Sequence, residues 1–198
     1  TGARSRRAMR ARSTGTRTPF STNGTAMAGS TSAPPDETPS PVERTLASIA
    51  EQAEAIDALI DRARSRLRVF DVDLSQGGWH TADRAERLVA FLRRAHGPRV
   101  EVIVHDTRWL AQSCPRLVTV LRHYGHAITV YRTGSEARNA MDPLVIADDR
   151  HFLHRFHVDG PRAALAFDSP IAARPLVARF EEIWATGEPG LSATVLGL

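Results

Sequence analysis

The sequence predicts an α/β domain on a mixed sheet flanked by helices, its strands parallel first and antiparallel later. Three observations carry this. Helical and strand-like patterns alternate from residue 42 to about residue 132. The run Arg99-Val-Glu-Val-Ile-Val-His105 is apolar enough for burial on both faces of a parallel sheet. Three further short strands and a closing helix then follow in place of more alternation.

In order, Leu46, Ile49, Ala53, Ile56, Leu59 and Ile60 keep one side apolar, which predicts a helix from about Val42 or Ile49 to Arg66. Leu67–Asp73 reads as a strand and 75–78 as a loop. Thr81 is placed to cap a helix through Ala95, stopped by Gly97-Pro98. After the 99–105 strand, Trp109–Tyr124 is helical in pattern with a break near Ser113-Cys114-Pro115. Ala127–Arg132 is a strand and Thr133–Asp142 a polar loop. Pro143–Ala147 is the next strand, and His151–His157 with Arg162–Phe167 forms a hairpin around Asp159-Gly160-Pro161. Asp168-Ser-Pro170 opens a terminal helix to Trp184, with Phe180 and Trp184 expected to pack.

The formal charge of +4 is unevenly spread. All 26 basic residues are arginine, and six lie between Arg4 and Arg17; from Arg44 onward 20 arginines face 19 acids. Residues 1–40 are rich in Ser, Thr, Gly, Ala and Pro and carry too little apolar surface to offset the entropy of ordering, so a disordered leader is expected. With Met9 and Met27 inside it, part of that leader is expected to be an over-extended reading frame. It lacks the apolar core of a secretory signal. Residues 41–198 are then one domain of ordinary size. No apolar run approaches ~18 residues, so no membrane span is expected. The single cysteine, Cys114, excludes an internal disulfide framework and fits a reducing, cytoplasmic compartment.

Met141-Asp142-Pro143-Leu144-Val145-Ile146-Ala147-Asp148-Asp149 carries the most informative pattern. With the helix ending in Ala-Arg-Ser-Arg-Leu-Arg-Val, the Gly-Pro-Arg-Val-Glu-Val-Ile-Val-His-Asp segment and the closing Phe180-x-x-x-Trp184, it resembles one half of the phospholipase D-like superfamily. In that family two HxKxxxxD halves meet, in one chain or in a homodimer. One histidine attacks the phosphodiester, the other protonates the leaving group, and the lysines hold the non-bridging oxygens. Counted back from Asp148, the histidine position is Met141 and the lysine position Pro143, and the chain contains no lysine. Only Asp148 carries over. The Gly-Ser of the following strand is also missing, with His154-Arg155 near its place. No histidine of the chain has a basic residue two places on, and a symmetric dimer would only duplicate the defect. The resemblance implies a single half with a degenerate motif, similar to a bacterial group of motif-less domains of this type. It also implies no cofactor, no catalytic residue, and a binding or scaffold role, with homodimerisation expected from the pairing of halves.

A competing resemblance is to haloacid dehalogenase-type phosphatases. Phe70-Asp71-Val72-Asp73-Leu74-Ser75 resembles their DxD strand end, Asp148-Asp149 would supply the remaining metal-binding acids, and Thr107 the phosphate-binding hydroxyl. The lysine that family needs has only Arg116, Arg122, Arg132 or Arg138 to replace it. A cryptic nuclease or phosphodiesterase is the other enzymatic alternative.

His151-x-x-His154-x-x-His157 has a tempting spacing, but on a strand the odd offset sends His154 to the opposite face, so exposed histidines and no metal are expected. Arg108, Arg132, Arg138, Arg150, Arg155 and Arg162 fall near strand ends or in the late hairpin. Their guanidinium forks suit phosphate oxygens, making nucleic acid or a phosphorylated ligand the candidate partner.

Overall fold

The computed structural model describes residues 42–94 and 97–191. These belong to the second of two units into which the chain divides, Thr38–Leu198. The Arg-rich leader, with its expected disorder, and Ala95 lie outside the described residues.

The elements are β1 (Val42–Leu46), α1 (Ile49–Arg62), β2 (Arg66–Asp71), α2 (Ala82–Leu92), β3 (Arg99–Val104), α3 (Arg108–Ser113), α4 (Pro115–His123) and β4 (Ile128–Arg132). A 3-10 turn, Ser135–Ala137, follows, then β5 (Leu144–Ala147), β6 (His151–Arg155), β7 (Ala163–Phe167), α5 (Pro170–Ala185) and β8 (Glu188–Pro189). The expected helix begins at Ile49, the later of its two expected starts, and ends at Arg62, before the expected Arg66. Val42–Leu46 is instead an edge strand, antiparallel to β7. The chain turns at Ser48, whose hydroxyl accepts from Glu51 N at 3.2 Å while Glu51 accepts from the Ser48 N at 2.9 Å. That reciprocal cap sets the helix start, which apolar spacing alone cannot.

The strands lie in the order β1-β7-β6-β5-β2-β3-β4-β8. β2, β3 and β4 are parallel; β5, β6 and β7 run antiparallel to their neighbours. The mixed sheet is therefore as the sequence predicts. β8, which pairs with the end of β4, was not legible because two residues give no periodicity.

Alternation along β2 divides the core. Leu67 and Val69 face α1, α2 and α4 with Leu59, Leu88, Phe91 and Leu121. Arg68 and Phe70 face α5, where Phe180 and Ile183 pack with Ile103, Ile146 and Phe152. Fully burying a side chain such as Phe91 or Phe180 contributes roughly 2–3 kcal/mol. Trp184 stacks on Tyr131, ring centroids 4.5 Å apart, so both closing aromatics pack as expected. Thr81 caps α2, which ends at Leu92 with Arg93 as its C-cap, short of the expected Ala95; Gly97 takes φ of 61°, which glycine adopts readily. Cys114 is wholly buried, and burial pushes its thiol up to about 11, away from nucleophilic use. Among the described residues no helix is long and apolar enough to cross a membrane.

Candidate functional site

The two ends of β2 hold the residues singled out by the sequence. At its start, the β5–β6 turn places Asp148 and Asp149 in the left-handed region, φ 52° and 58°, which aspartate tolerates better than most residues. The Asp148 carboxylate accepts from Arg64 N (2.7 Å), Ser65 N (2.9 Å), Arg66 N (2.9 Å) and Ser65 Oγ (2.9 Å). Burial alone would raise its pKa; the backbone and hydroxyl donors outweigh this, and the carboxyl lies below its usual range. Asp148 thus ties the β5–β6 turn to the backbone entering β2. Asp149 pairs with Arg68, which is 3% exposed and also bridges to Glu181 at 2.9 Å. Burial, reinforced by neighbouring Arg66, holds the Arg68 guanidinium below its usual range.

At the other end, parallel strands finish side by side, the position where open α/β sheets keep ligands. Asp71 ends β2, and its Oδ1 accepts from Val72 N at 2.6 Å. Burial chiefly, with the like charge of Asp73, pushes Asp71 up to about 6 against the lowering influence of Arg155. Asp73 accepts from Ser75 N at 2.8 Å, making a local turn, and Leu74 takes φ of 65° beyond it. Asp106, after β3, is likewise spent on Arg108 N and its guanidinium. His105 is buried beside them, Nε2 2.7 Å from Ala140 O and Nδ1 2.6 Å from Thr133 Oγ1. Since a carbonyl only accepts, Nε2 donates to Ala140 O, and Nδ1 shares a hydrogen bond with the Thr133 hydroxyl, which can donate or accept. This bond pins the loop that leads into Met141.

Pro143 is buried, in the place the phospholipase D-like resemblance gives to lysine. Its carbonyl accepts from Arg155 N at 2.9 Å. The Arg155 side chain, 6% exposed, shares with Pro143, Asp71, Gln76 and Gly77 a cavity of about 20 Å³, room for roughly one water. Arg155 spends its donors on Gly160 O (2.7 Å), Gln76 Oε1 (2.6 Å) and Val158 O. A cation therefore stands near the expected clamp position, contributed by the neighbouring strand and consumed by the hairpin loop.

On the α5 side of the same edge, Arg179 reaches Asp142 at 3.2 Å and His154 Nε2 lies 3.8 Å from Asp142. Burial lowers the His154 pKa against the raising effect of Asp142. The sequence reading missed this grouping. Its signal was register, Leu144 opposite His154, which puts Asp142 and His154 on one face; Arg179 arrives from α5 with no local cue.

The phosphatase constellation is not assembled. Asp148 and Asp149 sit at the start of β2 and Asp71 at its end, five residues on, roughly 16 Å along the strand. One metal cannot meet both pairs. Thr107 makes no side-chain cap to α3. Among the described residues no group of three His, Cys, Asp or Glu is placed to hold a metal ion. His154 does face away from His151, but His151 is buried rather than exposed. Its Nδ1 accepts from Asp168 N at 2.9 Å.

Of the candidate binding arginines, Arg108 pairs with Asp106, Arg132 with Glu188 and Arg150 with Asp168. Arg155 is buried, its guanidinium held by Gly160 O, Gln76 Oε1 and Val158 O. Arg138 and Arg162 make no side-chain hydrogen bond or ion pair among the described residues; Arg138 acts on Asp106 through charge.

Residues 48–193 match the family described as "Domain of unknown function (DUF7931)". This chain belongs to that family. Among curated proteins none matches it. Of solved structures, Nuc from Salmonella typhimurium, a phospholipase D family member, is similar with a TM-score of 0.57 at 15% identity, over 77% of this chain and 99% of that one. NucT from Helicobacter pylori gives 0.51 at 16% identity, over 76% and 99%. TrmBL2, an archaeal chromatin protein with a novel mode of DNA binding, gives 0.56 at 9% identity, over 75% of this chain and 54% of that one. At such identities the likeness establishes the fold alone, the one this chain shares with Nuc and NucT.

Proposed function

We propose that this DUF7931 chain is a catalytically silent phospholipase D-like half that serves as a binding module. The observation that carries the reading is the pair Met141 and buried Pro143 at the positions of the nucleophile and the phosphate clamp. The adjoining cavity holds about 20 Å³, against several hundred for an ordinary ligand pocket. A thioether does not attack phosphorus under these conditions, and proline carries no charge. The nearest cation, Arg155, is occupied on all three nitrogens.

A phosphodiesterase reading has its own support: the fold's likeness to a phospholipase D family member over nearly all of that protein, and the His154–Asp142–Arg179 grouping at the same edge. Nucleic acid is the ligand class suggested by the likeness to TrmBL2, with Arg138 and Arg162 the candidate contacts. The pairing of halves in the resembling family supports a homodimer, and the lone buried cysteine supports a cytoplasmic setting. Light scattering returning a monomer at tens of micromolar removes the dimer from the reading.

The deciding experiment offers purified chain bis-p-nitrophenyl phosphate and p-nitrophenyl phosphate, each with EDTA and with Mg²⁺. The silent reading expects background rates throughout. Turnover in EDTA that His154→Ala abolishes establishes a phosphodiesterase instead, and Mg²⁺-dependent turnover lost in Asp71→Asn establishes a phosphatase.

A further inference from the structure

The two seams between helices on the β2–β4 face differ. Between α1 and α2 the seam is closed: Arg84 donates to Asp57 at 2.6 Å and to Ala53 O at 2.9 Å, Arg87 pairs with Asp61, and Arg94 reaches Ala63 O. Between α2 and α4 it is open, a groove of about 440 Å³. Its floor is Ala85, Val89, Ala90 and Val120, small or β-branched apolar side chains that let another backbone come close. Both helices return the chain to the start of a parallel strand, so they run in the same direction. Arg116, in the first turn of α4, therefore stands at one end of the groove, and Arg93, just past α2, at the other.

The charge around this groove leans positive. From residue 82 to residue 123, the two helices and what joins them, the sequence holds eight arginines and four acids, Asp83, Glu86, Glu101 and Asp106. Glu101 and Asp106 are already paired, with Arg66 and Arg108. Arg116 has no hydrogen bond or ion pair among the described residues, and Arg93 meets only the Tyr124 hydroxyl, at 3.2 Å. Glu86 is the one acid lining the groove.

From this placement we infer that the α2–α4 groove docks an acidic amphipathic helix of a partner protein. The apolar floor takes the helix's aliphatic stripe, as ridges of one helix fill the groove between two others. Arg116 and Arg93 take carboxylates spaced roughly 15 Å apart, about the length of α2. A nucleic-acid strand fits less well: the floor is apolar and no aromatic side chain lines it for base stacking. The groove is formed by the helical layer and shares no lining residue with the cavity beside Pro143, so this inference stands whether or not the domain is catalytic.

The test uses the full chain, isotopically labelled for amide NMR, and a synthetic helix-forming peptide of about four turns with a Leu/Ala stripe flanked by glutamates. Amide shifts are expected to be confined to Ala82–Arg93 and Pro115–His123. Replacing every glutamate by lysine should weaken binding at least about tenfold, and so should Arg93→Glu with Arg116→Glu in the protein. The peptide swap needs no protein variant, so it remains decisive if the double variant does not fold. Equal binding of the glutamate and lysine peptides overturns the inference, as do absent shifts or shifts scattered outside the two helices. A single-stranded oligonucleotide that shifts the same residues more strongly than the peptide also overturns it, and makes the groove a nucleic-acid site.

Discussion

The two ends of β2 use their strand-end groups differently. At the start of the strand the Asp148 carboxylate accepts four donors from residues 64–66 and holds the sheet's central backbone in register. At the far end, beside Met141 and Pro143, the space is taken up by packing and by Arg155, and the Asp71 carboxyl accepts from its own neighbour, Val72 N. A carboxylate met by several backbone donors stabilises the fold, whereas one buried with little to receive it opposes folding.

The largest expected effect comes from breaking the Asp148 end. Asp148→Ala removes the acceptor of three backbone N–H groups and forces a left-handed alanine, and should cost about 3–4 kcal/mol in urea unfolding. Because the folded pKa of Asp148 lies below its ordinary value, its stabilisation is full above the unfolded carboxyl pKa near 4. It is lost as pH falls through the folded value. The variant's stability should accordingly fall less steeply than the wild type's on acidification.

The far end should respond with the opposite sign. Asp71 is raised to about 6, so burial of its charge opposes folding at neutral pH. Its protonated form favours the fold below about pH 4, and that advantage is lost as pH rises through about 6. Asp71→Asn should therefore stabilise the chain by at most about 3 kcal/mol at pH 8 and leave it nearly unchanged at pH 4. Destabilisation at pH 8 would show that the carboxylate holds something the geometry does not display. A smaller effect is expected from His105→Leu, which leaves Ala140 O unpaired: about 2 kcal/mol, with amide exchange faster in residues 133–143 and unchanged around Arg66.

Much of the fold was legible because its signals are local and periodic: the apolar pattern of Leu67–Phe70, the Thr81 cap, the apolar run within Arg99–Val104. β1 was not, since Val42–Leu46 shares its apolar spacing with the helix that follows and its identity is fixed by distant β7. Within the candidate site, the residue types at Met141 and Pro143 could be read directly from the sequence. The tertiary consequences could not. Asp148 as a backbone clamp, Arg155 turned inward, and Arg179 beside Asp142 all depend on partners many residues away. For the same reason Asp71 and Asp148, equally acidic strand-end residues in the sequence, could be assigned to one phosphatase site although β2 separates them.

The central claim is that no group at the Met141–Pro143 edge displaces an alkoxide from phosphorus. Its most direct test is the rate of bis-p-nitrophenyl phosphate hydrolysis in EDTA, measured against chain concentration and alongside His154→Ala. The account predicts a rate indistinguishable from buffer at every concentration; a rate proportional to the chain and abolished by that one substitution would contradict it.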